Sequence, residues 1–469
     1  MDAGGGTLTK PAEMSQVAMS TGTGRRTGFA EEDRPIEGAT GPRTWTQSGP
    51  GLAIGAYLTA LRSAVAAPEP TLMYAWIGAP TASSLTVSCR TLNATSVRIK
   101  SATNLGLTAG IIYSSQVTPD ASGWATCLLS GLAAGTDYYY AVEMTNRPGD
   151  VATSAVTGPA KTLPMDNTPA SYKVTFSSCH ESGVPVTTAY DNMLAKRPHL
   201  FLHLGDFHYA DSSSTDHNVH RRHIEQQIAG NAGLRAVLAK IPTLYIKSDH
   251  DSGGGDGALP GPWIPANRAA YRQVVPHPPL LDADGLYWSM RLGRIKWIFT
   301  DHRYLRTAKS MMGAAQKAWF KAELLTDEPV KCWVQDSGWL KPLPPQSPVL
   351  GNDKWSDYPD EHEELGEYIA TSAIGQLFSI HGDTHMLAAD DSTYNRWGFP
   401  TYCAAPLANT TVYEPGPWSE GSWPMKNSFE CQYGLLDIAD DGATITVTYT
   451  GYETGGRERI THSMSVRTV

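Results

Sequence analysis

The 469-residue chain has no apolar run long enough to form a membrane helix. Its longest, residues 51–67, falls short of the roughly 20 residues required and is broken by Arg62. Charge is scarce at 18%, and bases are the minority, 37 against 46 acids, for a net charge of −9. Without a basic excess there is no overall field to draw in a nucleic-acid backbone, so non-specific duplex binding is not expected. Six cysteines are too few for a disulfide-dense scaffold. Arg25 and Arg26 are not followed by the apolar core of an export signal but by Glu31, Glu32 and Asp33, and read as ordinary loop arginines. What is present is 41% hydrophobic residues, enough to fill a sizeable core and to exclude wholesale disorder. The length allows two or three domains.

Residues 1–71 open with Gly, Thr, Ser and Pro without a helical or strand period, which predicts a partly disordered N-terminal arm. Over 72–163, short runs such as SLTVSCR, SVRIKS and YYYAVEM alternate with turn residues at the spacing of a β-sandwich. Tyr138 follows a Gly135-Thr136-Asp137 turn, where a sandwich uses a tyrosine hydroxyl to bond nearby backbone, and the segment resembles a fibronectin type III domain. A Pro-containing linker, TLPMDNTPA, leads to a third segment, 170–469. There, apolar strand-like runs (KVTFSS, HLFLHLG, IPTLYIK, LYWSMRL, IKWIFTD, VKCWVQD, LFSIHGD) alternate with helical patterns, and YGLLDIAD and ATITVTYTGY close the chain. This alternation predicts an α/β domain whose strands are covered on both faces.

Four of these strands run into polar clusters: SSCH at 177–180, GDFHY at 205–209, SDHD at 248–251 and GDTH at 382–385. In an open α/β sheet, ligands bind beyond the carboxyl ends of the strands, so four such clusters can converge on one site. Each alone is weak, because GD is a common turn and a histidine commonly satisfies its hydrogen bonds in a core. Together they gather oxygen donors with a thiol and imidazoles. Carboxylates packed this way repel and raise one another's pKa values unless cations sit among them. A carboxylate such as Asp206 can bridge two cations, and a two-metal pair can hold a phosphoryl group and activate water.

In this order, SSCH, GDxxY, SDHD and GDxH resemble the calcineurin-like metallophosphoesterases, most closely the PhoD-type alkaline phosphatases. TDHRYLR at 300–306 and QKAWFKAELL at 316–325 are similar to further segments of that family. The resemblance covers residues 72–469 and implies a four-layer α/β/β/α sandwich preceded by the all-β domain. It implies hydrolysis of small-molecule phosphate monoesters or diesters by in-line attack of a metal-bound hydroxide, in an extracellular or periplasmic location. It further implies a metal set of Cys179, Asp206, Tyr209, Asp249, Asp383 and His385, with Fe3+ and Ca2+ as the expected ions and Zn2+, Mn2+ or Co2+ as others the donors admit. A hard trivalent ion lowers the pKa of a ligating phenol or thiol, whereas calcium prefers several oxygens. His250 and His385 would lie beside the phosphate as ligands or proton donors, and Arg303 would clamp phosphate oxygens or form an ion pair with a carboxylate. Asp251 is open between ligand and supporting roles.

The third cluster departs from the family: Lys247 and Ser248 stand where an aromatic and a carboxylate are usual. Lys247 could supply charge to substrate or neutralise the local acids. This departure, with the missing export signal, motivates an alternative reading, an attachment or assembly protein with a fibronectin-like binding module and a residual phosphatase site. Cys179 beside His180 is a poor nucleophile–base pair, because strand neighbours point to opposite faces. GGGDG at 253–257 lacks the Lys and Ser/Thr of a phosphate loop and reads as a solvent loop. Trp418 and Trp423, in a Pro- and Gly-rich stretch, either overhang the site or belong to a satellite core. Cys89 with Cys127 and Cys403 with Cys431 are expected as disulfides, implying an oxidising compartment, with Cys332 unpaired.

Overall fold

The structure, a computed structural model, describes residues 68–147, 150–184, 188–255, 257–340, 354–412, 416–424 and 428–468, together with four short N-terminal strands. Residues 1–66 and 67–469 form two compact units. In the first, Gln16–Gly22 pairs antiparallel with Arg25–Glu31, and Thr7–Leu8 with Gln47–Ser48. Strands therefore occur where an arm was expected, and Arg25 and Arg26 head one of them. Small residues such as Ala18, Ser20, Gly28 and Ala30 dilute the alternation that would have announced them. The remainder of the predicted arm lies outside the described residues.

The second unit begins with a β-sandwich. Thr71–Gly78, Ser84–Leu92 and Trp124–Ser130 form one sheet, and Ser96–Ala102, Ile112–Tyr113, Asp137–Arg147, Asp150–Thr153 and Thr157–Lys161 the other. Alternate residues, among them Leu85, Val87, Cys89, Val97, Ile99 and Val142, turn inward into a common core. The Tyr138 hydroxyl accepts from the Ala133 N–H at 2.9 Å.

Two larger sheets follow. The first, six-stranded, runs Thr243–Tyr245, Leu200–His203, Tyr172–Ser177, Tyr433–Asp440, Thr444–Glu453, Arg457–Arg467, with the first three strands parallel to one another. The second, seven-stranded, runs Trp288–Leu292, Ile295–Phe299, Val330–Val334, Gln376–His381, Thr401–Ala404, Leu387–Asp390, Ser422–Trp423. The strands LFLH, IKWIF and VKCWV are buried at every position, which requires cover on both faces. On their inner faces, Val174, Phe176, Leu202, Trp297, Phe299, Val334, Phe378 and Ile380 make one core. Outside the first sheet lie the helices Thr188–Lys196, His217–Gly230, Ala232–Lys240 and Ile264–Val274. Gly313–Leu324 and Pro359–Thr371 cover the second. The result is the expected α/β/β/α sandwich. Among the described residues, no helix is long and apolar enough to cross a membrane.

The expected disulfides do not form: all six cysteines are buried free thiols. Cys89 and Cys127 do lie on adjoining strands, but Cys89 faces Ala125 and Cys127 faces Val87, so the two are offset by one diagonal step. Cys403 packs with Met386 and Ala388, while Cys431 lies in the helix-covered core of the first sheet. The oxidising compartment inferred from such bonds loses that support.

Candidate metal centre

Three parallel strands of the first sheet deliver SSCH, GDFHY and SDHD to one edge, and Gln376–His381 of the second delivers GDTH. Two glycines let these loops close on one another. A Cβ on Gly205 would stand 2.7 Å from the Ser248 nitrogen, and one on Gly382 would stand 2.2 Å from Ser178 Oγ. In these loops the backbone turns left-handed: φ is +61° at Cys179, +51° at Asp206, +65° at Asp383 and +50° at His385. Such conformations cost about 1 kcal/mol or more for most side chains and gather at functional sites.

Asp206 sits at the centre and is 1% exposed. Its Oδ2 accepts from the Tyr209 hydroxyl at 3.2 Å and lies 3.4 Å from Cys179 Sγ. The Tyr209 oxygen is also 3.2 Å from His385 Nε2. His385 Nδ1 lies 2.6 Å from the Thr410 carbonyl, which can only accept, so Nδ1 carries the proton and Nε2 faces the site with its lone pair. Donor atoms of Cys179, Asp206 and His385 lie within 4.8 Å of one another, as do those of Asp206, Asp249 and His250. Asp206 belongs to both groups. Asp383 lies outside these two tight groups but beside them, with its backbone carbonyl 3.8 Å from Cys179 Sγ.

The electrostatics are those of crowded acids. Burial, then Asp249 and Cys179, raises the Asp206 carboxyl well above the usual carboxylate range. Burial and Asp249 raise Asp383, and burial and Asp383 push the Cys179 thiol up to about 12. Burial, then Asp206 and Cys179, raises the Tyr209 phenol. Asp206 Oδ1 and Asp383 Oδ2 are buried oxygens without a hydrogen-bond partner. Two carboxylates, a thiol, a phenol and an imidazole, crowded together and partly unsatisfied, are a donor set that fits a cation.

The remaining predicted residues take defined places. Asp249 Oδ1 accepts from Ser248 Oγ at 3.0 Å and lies 3.8 Å from Arg303 Nη2. Arg303, 2% exposed, donates through Nε to Asp336 and through Nη2 to Ser248 Oγ at 3.1 Å, so the ion-pair alternative is the one the geometry presents. Burial pushes Asp336 up, but Arg303 and His302 outweigh it and hold that carboxyl at about 2. Gln316 brackets the backbone of Asp301 from both sides, at 2.7 Å each, and so shapes the turn that carries Arg303. The Asp251 carboxylate accepts from the His208 and Ser248 N–H groups at 3.2 Å. Lys247 is buried, lowered to about 8 by that burial, and donates to the Asp251 carbonyl at 3.1 Å, which places it behind the acids.

His180 turns away from Cys179 and meets the Tyr190 hydroxyl at 2.8 Å. The glycine stretch is not a free solvent loop: Gly253 and Gly255 are buried, and Gly253 packs on Ser212 and Trp263. Trp418 packs beside Met386, Ala388 and Cys403 and flanks His381, while Trp423 lies under Arg459. Two residues were not foreseen. Asp211 Oδ1 stands 2.7 Å from His250 Nδ1 and orients that ring, which also lies against Tyr209 with centroids 4.2 Å apart. Asp336 anchors Arg303 and His302, and its place just beyond an apolar strand was a signal available to the strand-end rule.

No protein-family profile and no curated protein sequence matches the chain. Solved structures do. The structure of PhoD superposes with a TM-score of 0.67 at 17% identity, covering 84% of this chain and 90% of the other. The purple acid phosphatase PPD1 from yellow lupin (Lupinus luteus) seeds superposes with a TM-score of 0.60 at 11% identity, covering 84% of this chain and 74% of the other. At these identities the likeness is one of fold. The two-sheet sandwich that gathers Cys179, Asp206, Tyr209, Asp249 and His385 at one edge thus has the fold seen in PhoD and in that purple acid phosphatase.

Proposed function

We propose that this protein is a metal-dependent hydrolase of phosphate esters, acting on small phosphomonoesters or phosphodiesters. The observation that carries the reading is Asp206, shared between two groups of donor atoms that each lie within 4.8 Å. Cys179, Tyr209 and His385 would hold the harder ion, Fe3+, with Asp206, and Asp383 stands beside them. Asp206 and Asp249 would hold a divalent ion such as Ca2+. A bound cation supplies Lewis acidity toward a phosphoryl oxygen and lowers the pKa of a water.

The chain's own residues do the rest. Asp211, accepting from His250 Nδ1, leaves Nε2 as the atom that exchanges a proton, on the side of Asp249, 3.9 Å away. From there it serves a leaving oxygen. Arg303, anchored by Asp336, lies 3.8 Å from Asp249 and sets its guanidinium at the floor of the site. We also read the sandwich as fibronectin type III-like, on its two-sheet pairing and the Tyr138 hydroxyl bond. The alternative is an attachment or assembly protein whose fibronectin-like domain and N-terminal arm bind a partner, with a residual phosphatase site; of its motives, the altered third cluster places Lys247 in a buried position beside Asp251.

The test is element-specific metal quantitation on protein purified without chelator, paired with a panel of mono-, di- and triesters. Asp206→Asn should abolish most turnover of a chromogenic aryl phosphate in folded protein. Absence of metal and of hydrolysis after metal is supplied would favour the attachment reading instead.

A further inference from the structure

The left-handed turn at Asp206 persists only if both flanks hold it. On one flank Gly205 lies against Ser248. On the other, Phe207 is fully buried in a set of rings: His203 at 4.9 Å and Tyr245 at 5.1 Å between centroids, and Trp76 at 5.4 Å, stacked at 13°. Trp76 is not part of the large sheets. It belongs to the sandwich strand Thr71–Gly78, is 1% exposed, and donates its Nε1–H to the Thr243 carbonyl at 3.2 Å. Two residues on, a Cβ at Gly78 would stand 2.6 Å from that same carbonyl, so strand and sheet meet without slack.

We infer that the sandwich is a positioning element of the metal centre, with Trp76 clamping Phe207 and thereby fixing the backbone that presents Asp206. The inference rests on the metal reading of Asp206 and adds to it a role for the all-β domain other than attachment. Interiors are close-packed and transmit displacement, so removing one face of the ring set frees Phe207 to move and takes the adjoining carboxylate with it.

Trp124 supplies the control. It is 3% exposed at the same interface, with Nε1 donating to Glu225 Oε1 at 2.7 Å, but it meets the helix His217–Gly230 and not the Asp206 turn. In the full-length chain, Co2+ affinity is measured by d–d absorption against a competing chelator. In the chelated protein, hydrogen exchange is measured over residues 204–209, where the His208 amide donates to Asp251. Trp76→Ala should weaken Co2+ binding at least tenfold and speed exchange in that segment. Trp124→Ala should lower the melting temperature comparably, shift Co2+ affinity less than twofold and leave that segment's exchange unchanged. Equal effects of the two variants, or no effect of Trp76→Ala, would overturn the inference. Should Trp76→Ala not fold, Phe207→Leu breaks the same stack from the other side, while Trp76→Phe should retain near-native affinity. If the wild-type protein binds no Co2+, the metal reading falls, and the exchange comparison still decides whether the clamp exists.

Discussion

Replacing Asp206 with Asn should act in opposite directions on stability and on activity. Asn is nearly isosteric, tolerates φ near +51° and keeps an oxygen for the Tyr209 hydroxyl, so the turn survives. What disappears is a negative charge whose oxygen lies within 4.8 Å of those of Asp249. At an effective dielectric of about 20, two unit charges at that separation repel by about 3 kcal/mol. In metal-free protein at pH 8, Asp206→Asn should therefore raise the unfolding free energy by about 1–3 kcal/mol. The gain should shrink on acidification, because the native Asp206 pKa is raised above its unfolded value. Its unfavourable contribution is absent below the unfolded pKa and grows as pH rises toward the native one. With metal supplied the order reverses, since the variant has lost the shared ligand. Urea unfolding in chelator and in metal, at two pH values, with aryl phosphate turnover on the same preparations, makes the comparison. A chelated variant less stable than wild type, or one that keeps its turnover, would refute the electrostatic account.

Asp211→Ala removes the carboxylate that meets His250 Nδ1 and should lower kcat/KM about 10- to 100-fold with metal content unchanged, as loss of an orienting carboxylate does elsewhere. Burial, with Lys161 and Lys173 adding to it, lowers His199 to about 4. Its stabilising share is full above about 6.5 and lost as pH falls toward 4, and His199→Gln should narrow the difference in urea midpoint between pH 7.5 and 4.5 by about 1–2 kcal/mol equivalent. Denatured protein that has never met a reductant should titrate six thiols, and fewer would restore a disulfide.

The centre was legible because its chemistry follows apolar strands whose ends the pattern locates. Cys179, Asp206, Asp249 and Asp383 each come within four residues of a strand end, so the direction of three parallel strands was enough to gather most of them. Asp211 was not legible, since it meets His250 through an irregular path between Leu200–His203 and His217–Gly230 that no periodicity describes. Trp76 was not legible either, because an apolar residue on a half-buried strand has the same sequence signature whichever neighbour covers it. The helix Pro359–Thr371 went unread although Pro359, Asp360 and Glu361 form an ordinary helix start, because it lacks a continuous apolar stripe. The disulfides failed for a different reason: sequence placement put Cys89 and Cys127 on neighbouring strands but could not supply the register that separates them.

Left-handed backbone at four of the site's positions shortens the alphabet available for redesign. A library meant to change ion preference must satisfy the chain before it satisfies the ion. Asp, Asn and His enter that region readily, whereas Val, Ile and Thr are excluded by their branched Cβ whatever they might coordinate. Exchange of the thiol at 179 for a carboxylate meets both demands, so selectivity here is best explored by swapping donors of similar reach and not by enlarging the pocket.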